Sequence, residues 1–64
     1  MIALTRTNGR PIVVNADLIE TVESADDGTT VVLLTTGNAL AVTEGPEAVR
    51  ETVVAYRRRI ASAG

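Results

Sequence analysis

The chain contains neither histidine nor cysteine, so the commonest general base and the commonest covalent nucleophile are both missing. What could do chemistry is a set of eight carboxylates, six arginines, hydroxyls and a single tyrosine, Tyr56. Carboxylates alone could hold Ca²⁺ or Mg²⁺, or work as an acid–base pair. However, Asp17, Glu20 and Glu23 straddle a turn and a strand without the spacing of a calcium loop, and nothing marks any of them as buried. They read as a solvated acidic face. The chain has no G-x-x-x-x-G-K-S/T phosphate loop and no G-x-G-x-x-G fingerprint. Zinc and copper lack their preferred ligands. The residues therefore argue against an enzyme, and no cofactor or metal is expected.

The arginines carry the other two chemical options. Arg57, Arg58 and Arg59 invite a nucleic-acid reading, but successive helix positions differ by about 100°, so the three fan around the axis. The net charge of −2 is also opposite to the basic footprint of most nucleic-acid binders. Helix capping and solubility account for them more simply. Arg6 continues the parity of Ile2 and Leu4 toward the core side. It can be an edge residue whose stem covers apolar surface, or it can pair with Asp17 or Glu20 and fix the first hairpin against the third strand. Arg6, Asp17 and Glu20 are the candidate interaction residues.

Sixty-four residues make one domain, 1–64, and a domain this small buries little of its surface. With disulfides and zinc excluded, self-association or very good packing must supply the missing stability. From Pro11 to Gly45 there is no basic residue, while Asp17, Glu20, Glu23, Asp26, Asp27 and Glu44 all lie there. The cations sit at Arg6 and Arg10 and again from Arg50 onward, so acidic middle and basic end can attract within or between subunits. The first residues lack the basic and apolar regions of a signal peptide. The apolar run Val31–Leu34 is far too short to span a bilayer. A cytoplasmic address without membrane insertion is expected.

The elements that must position these groups are mostly strands. Ile2 and Leu4 alternate with Ala3 and Thr5. Asn8-Gly9 then reads as a type I′ turn into Ile12-Val13-Val14, with positive φ at both turn residues. Pro11 places that second strand at an edge. Asn15-Ala16-Asp17 breaks the alternation as a short Asx or 3₁₀ turn. Leu18–Glu23 resumes a strand, Asp27-Gly28 turns it, and Thr30–Thr35 forms a fourth strand apolar on both faces. Gly37-Asn38 fits a type II′ turn into Leu40-Ala41-Val42. The period then changes to 3.6: Gly45 can cap a helix, Pro46 suits its first position, and Val49, Val53, Tyr56 and Ile60 form one apolar stripe. Arg57–Arg59 fall in the last turns, and residues 61–64 are expected to fray. The fold class is α+β, with five antiparallel hairpin-connected strands in one curled sheet and one C-terminal helix over one face. A second chain is expected to cover part of the other face. Asn8, Gly9 and Asn15 are structural turn residues.

Met1-Ile2-x-Leu4-Thr5-Arg6-x-Asn8-Gly9, then Val14-Asn15-x-Asp17-Leu18-Ile19-Glu20-x-Val22-Glu23, together resemble the small FlbD family of flagellar proteins, whose swarming members are called SwrD. Thr35, Gly37, Val42 and Glu44 continue the match along nearly the whole chain. Departures fall in turns: Asp26-Asp27-Gly28-Thr29 replaces a Pro-Asp-Thr, Thr35-Thr36-Gly37 a Thr-Asn-Gly, and Gly45-Pro46 stands where Ser is expected. The resemblance implies a non-enzymatic cytoplasmic accessory of flagellar motility that supports motor or stator function and swarming through protein contacts. It implies a motor- or stator-associated partner. A small nucleic-acid-binding regulator of motility genes is the alternative.

Overall fold

Three loops of one design shape most of the molecule. The computed structural model describes residues 1–63, with strands β1 (Ile2–Thr5), β2 (Pro11–Val14), β3 (Ile19–Ser24), β4 (Thr30–Leu34) and β5 (Ala39–Val42). A 3₁₀ turn (Ala16–Leu18) stands between β2 and β3, and the helix α1 (Pro46–Ala63) closes the chain. In the first loop the Gly9 N–H donates to the Arg6 carbonyl (2.9 Å) and the Arg6 N–H to the Arg10 carbonyl (2.8 Å). The β3–β4 loop repeats this pattern with Ala25, Gly28 and Thr29, and the β4–β5 loop with Leu34, Gly37 and Asn38. Each is a three-residue connection, a type I turn completed by a glycine at φ of +86°, +86° or +92°, which is the G1-bulge hairpin.

These loops correct two expectations. No residue other than glycine has positive φ among the described residues, so Asn8-Gly9 is not a I′ turn. The Gly37 N–H donates to the Leu34 carbonyl, so Gly37 is the last residue of its loop and not the first central residue of a II′ turn. The residue before each glycine stays at negative φ and uses its side chain instead. Asn8 Oδ1 accepts the Arg10 N–H (3.0 Å). Asp27 Oδ1 accepts both the N–H (3.0 Å) and the hydroxyl (2.6 Å) of Thr29. Thr36 Oγ1 accepts from Asn38 Nδ2 (3.3 Å). The hydroxyl of Thr29, with the Thr29 N–H second, holds the Asp27 carboxyl below its ordinary value.

The five strands do not form one sheet. β1 and β2 make a two-stranded sheet, while β3, β4 and β5 make a three-stranded one in that order. The cause is the link between β2 and β3. Asn15 caps a 3₁₀ turn, its Oδ1 accepting the Asp17 N–H (3.0 Å), and Ala16 inside it is fully buried. The chain therefore turns a corner where a hairpin would have laid β3 beside β2. The corner is anchored to the second sheet by the Thr35 N–H, which donates to the Leu18 carbonyl (2.7 Å).

Ile2, Leu4, Val14, Ala16, Val32, Val42 and Val49 form the core, drawn from both sheets and the helix. In β4, Val32 pairs with Val22 and Leu40 on the inner face, while Val31 and Leu33 pair with Glu23, Thr21, Ala41 and Ala39 on the outer face. No strand or helix is laid over that outer face among the described elements.

The Gly45 carbonyl accepts the Val49 N–H (3.0 Å), so Gly45 caps α1 as its sequence position suggests. Val49, Val53 and Tyr56 pack on the core, but Ile60 is 52% exposed. The stripe outlasts the body it covers. Eighteen residues make a rod of about 27 Å, against a molecule whose shorter dimensions are 21 and 19 Å. Helical structure continues through Ala63, so Arg57–Arg59 precede the last turn and the expected fraying at Ala61 is not seen. Gly64, the end of that expected segment, lies outside the described residues.

A Cβ at Gly9 would meet nothing within 4 Å, so substitution there is felt only by the backbone. Gly9→Val should lower stability by about 1–3 kcal/mol. Gly9→Asn should cost less, because asparagine tolerates the left-handed region. Chemical denaturation that ranked the two variants equally would show that φ is not the source of the loss.

Candidate contact site

Where the two sheets meet, their connection is short and specific. Arg6 forms an isolated antiparallel bridge with Val42. The Thr43 N–H donates to the Thr5 carbonyl (2.9 Å), and the Thr5 N–H donates to Glu44 Oε1 (2.9 Å). Glu44 thus takes over a donor that β1 would otherwise leave unpaired as it leaves the sheet. Partial burial pushes the Glu44 carboxyl up, but hydrogen bonds from the backbone of Thr5 and of Glu44 itself, with the Thr5 side chain, outweigh it. The net position is below the ordinary value. Nothing in its residue type picks out Glu44 among eight carboxylates.

The three candidate interaction residues are all exposed, but they do not sit together. Arg6 lies at the Val42 end of β5. Glu20 lies at the irregularity between Ile19 and Thr21 in β3, beside Leu33 and Leu34. Since β3 and β5 are the two sides of the sheet and Val42 aligns with Thr30, Arg6 and Glu20 occupy diagonal corners. Three strand spacings, roughly 14 Å along the sheet, and three to four residue rises, about 11 Å, separate their backbones. No hydrogen bond joins the Arg6 side chain to Asp17 or Glu20 among the described residues. Arg6 ties the hairpin to the larger sheet through its main chain. Asp17, by contrast, is near the Glu20 corner, in the 3₁₀ turn that leads directly into β3. Asn15, not Asp17, does the capping there, which leaves the Asp17 carboxylate outward.

Next to this acidic corner lies a feature that sequence reading missed. An open groove of about 420 Å³ runs between β2 and β5, the strands that end their respective sheets. Its floor is Ile12, Val14, Leu18, Leu34 and Leu40, and Asn15 and Asn38 supply polar groups at its margin. Val13, 64% exposed, forms part of the wall. No charged residue lines the groove. Asp17 falls between Asn15 and Leu18 in the chain, so the nearest charges on that side are negative. The turns mark the hairpins that pair β2 with β1 and β5 with β4, but the parting of β2 from β3 that opens the gap between β2 and β5 is not encoded locally. Among the described residues, no three of His, Cys, Asp and Glu converge as a metal site would, and no helix is long and apolar enough to cross a membrane.

The apolar groove and the acidic corner beside it thus belong to a small α+β domain of two sheets and one helix. The chain belongs to the FlbD family of flagellar and swarming motility proteins, whose family model matches residues 1–61. No curated protein and no solved structure matches it.

Glu44→Ala leaves the part-buried Thr5 N–H without its acceptor and should lower stability by about 1–3 kcal/mol at pH 7. Because the folded state depresses this carboxyl, the unfolded chain takes up the proton first on acidification. The stabilisation is present above the unfolded pKa and is lost as pH falls through the folded one. The gap between wild type and Glu44→Ala should therefore narrow as pH drops below the ordinary value of 4.5. A gap that is constant from pH 7 to pH 3 in denaturant titrations would deny the charge any part in the junction.

Proposed function

We propose that the chain is a non-enzymatic cytoplasmic accessory of flagellar motility that supports motor or stator function, and thereby swarming, through protein contact. The family assignment supports the motility role. The observation that carries the contact reading is the groove between β2 and β5. Each of these strands ends its sheet, so each has a side on which backbone donors and acceptors can pair with an added extended segment. Alternate side chains of such a segment would reach the apolar floor.

Charge selects the occupant. No cation lies between Pro11 and Gly45. Asp17 stands in the chain between the groove residues Asn15 and Leu18, and Glu20 at the β3 irregularity opposite Leu33 and Leu34, of which Leu34 lines the groove. The fitting partner is an extended segment of a motor- or stator-associated protein that alternates apolar and basic residues. On this reading Asp17 and Glu20 belong to the contact surface, whereas Arg6 belongs to the junction between the sheets.

Val13→Glu and Glu20→Lys alter exposed side chains and should each change stability by no more than about 0.5 kcal/mol. Both should abolish or sharply reduce swarming and motor torque, while Arg6→Ala at the opposite corner should leave them intact. If both variants fold and swarm normally, the groove is not the working surface. Salt-sensitive retention of the wild-type protein on RNA or DNA, lost with Arg57–Arg59, would favour the regulator of motility genes instead.

A further inference from the structure

The last turns of α1, from Arg57 onward, form an exposed arm with its own chemistry, of which Arg59 lies beside Met1, Ile2 and Ala3 at the start of β1. Arg57 through Ala61 are all exposed, although Ile60 continues the stripe that buries Val49 and half-buries Val53 and Tyr56. The arm therefore presents an aliphatic side chain among three arginines. A helical end of two turns gains little from its own hydrogen bonding in water, and amphipathic helices are held mainly by what their apolar face packs against.

The outer face of β3–β4–β5 has the complementary character. Val31 and Leu33 lie at its centre, directly across from Ala41 and Ala39 on one side and from Glu23 and Thr21 on the other. Glu23 is the charge on this face, Asp26 follows in the adjoining loop, and no cation occurs anywhere in these strands. Arm and face thus match in both respects, aliphatic against aliphatic and positive against negative. Within one chain the helix is committed to the inner side through Val49 and Val53, so its arm cannot also lie on the outer face.

We infer that the occupant of the outer sheet face is the α1 arm of a second copy of this chain. The exchange is reciprocal: each copy lays Ile60 over Val31 and Leu33 of the other and sets Arg57, which shares the Ile60 side of the helix, against Glu23 and Asp26, with Arg58 and Arg59 adding positive charge around it. A twofold arrangement uses both contacts and closes on itself, whereas a single head-to-tail contact would propagate into a filament. Two such contacts are also what a small domain needs to approach the roughly 1,200 Å² buried in a specific interface. The groove between β2 and β5 takes no part in it.

Sedimentation equilibrium at low salt should give twice the chain mass of 6.7 kDa, with association weakening as salt screens the charges. Two charge-reversed proteins test the pairing, one carrying Arg57→Glu, Arg58→Glu and Arg59→Glu, the other Glu23→Arg and Asp26→Arg. All five positions are exposed, so both proteins should fold, as circular dichroism can verify. Each alone should associate roughly tenfold more weakly or worse, since like charges then face each other. Mixed in equal amounts they should restore a dimer containing one of each. Ile60→Asp should be monomeric with its charges intact, and Val13→Glu should stay dimeric. A wild-type monomer at high micromolar concentration, dimers that survive charge reversal, or a mixture that stays monomeric would each overturn the inference.

Discussion

The bridge of Arg6 to Val42, with Glu44 holding the Thr5 N–H, makes one body out of two sheets. β1 and β2 hold each other through a loop of three residues and would form on their own only marginally, since an isolated hairpin is barely stable in water. Their apolar side chains, Ile2, Leu4 and Val14, become core only when the hairpin is brought over Val32, Val42 and Val49. That placement closes a segment of more than thirty residues, from Arg6 to Val42, at an entropic cost that grows slowly with length. A few hydrogen bonds set the register at which it closes, and burial of the aliphatic core drives it.

The same junction explains why the domain remains open elsewhere. β1 contacts β5 only at its end, so β2 and β5 diverge, and the groove is the space left between them. A fully closed barrel would have no such edges. Here the edges persist beside an apolar floor, with Pro11 at the start of β2 withholding one donor. Leaving the two sheets open between β2 and β5 costs buried area in a chain that has little to spare. Retaining that opening is understandable if a partner, not the fold, completes it.

Charge is segregated along the chain and stays segregated in space. The carboxylates between Asp17 and Asp27 occupy the turn before β3, the strand itself and the loop after it, whereas four of the six cations lie on α1. The basic end of the helix lies by the start of β1, with Arg59 beside Met1, Ile2 and Ala3, while the acidic groups lie on β3 and its flanking loops, so the two signs are presented on different parts of the surface. Such an arrangement favours encounter with charged partners and with other copies more than it favours the stability of one copy.

Local chemistry was readable wherever it acts within about four residues. The glycines at 9, 28 and 37 marked all three hairpins, Asn15 marked the 3₁₀ turn, and Gly45-Pro46 marked the start of the helix. Even there the turn type differs: a I′ turn would need positive φ at Asn8, which only the glycines adopt, and Gly37 closes its loop where a II′ turn would have it open one. The recurring spacing of a short polar residue before each glycine was the signal that would have corrected it. The motif of the first 23 residues was enough to point to the family.

By itself, then, the sequence determined where the chain turns, which strand and helix faces are apolar, how charge is divided, and what family it resembles. Tertiary structure alone decided that Ala16 would be buried as a corner, so that β2 and β3 part into separate sheets. It also decided that Arg6 would face solvent despite its core-side parity, that Arg6 and Glu20 would fall at opposite corners, and that Glu44 would serve β1 from 39 residues away. The physical reason is that turn and cap energies depend on neighbouring residues. Strand partnership and exposure depend on which distant surfaces bury one another, a choice among near-equal pairings that the whole core makes at once.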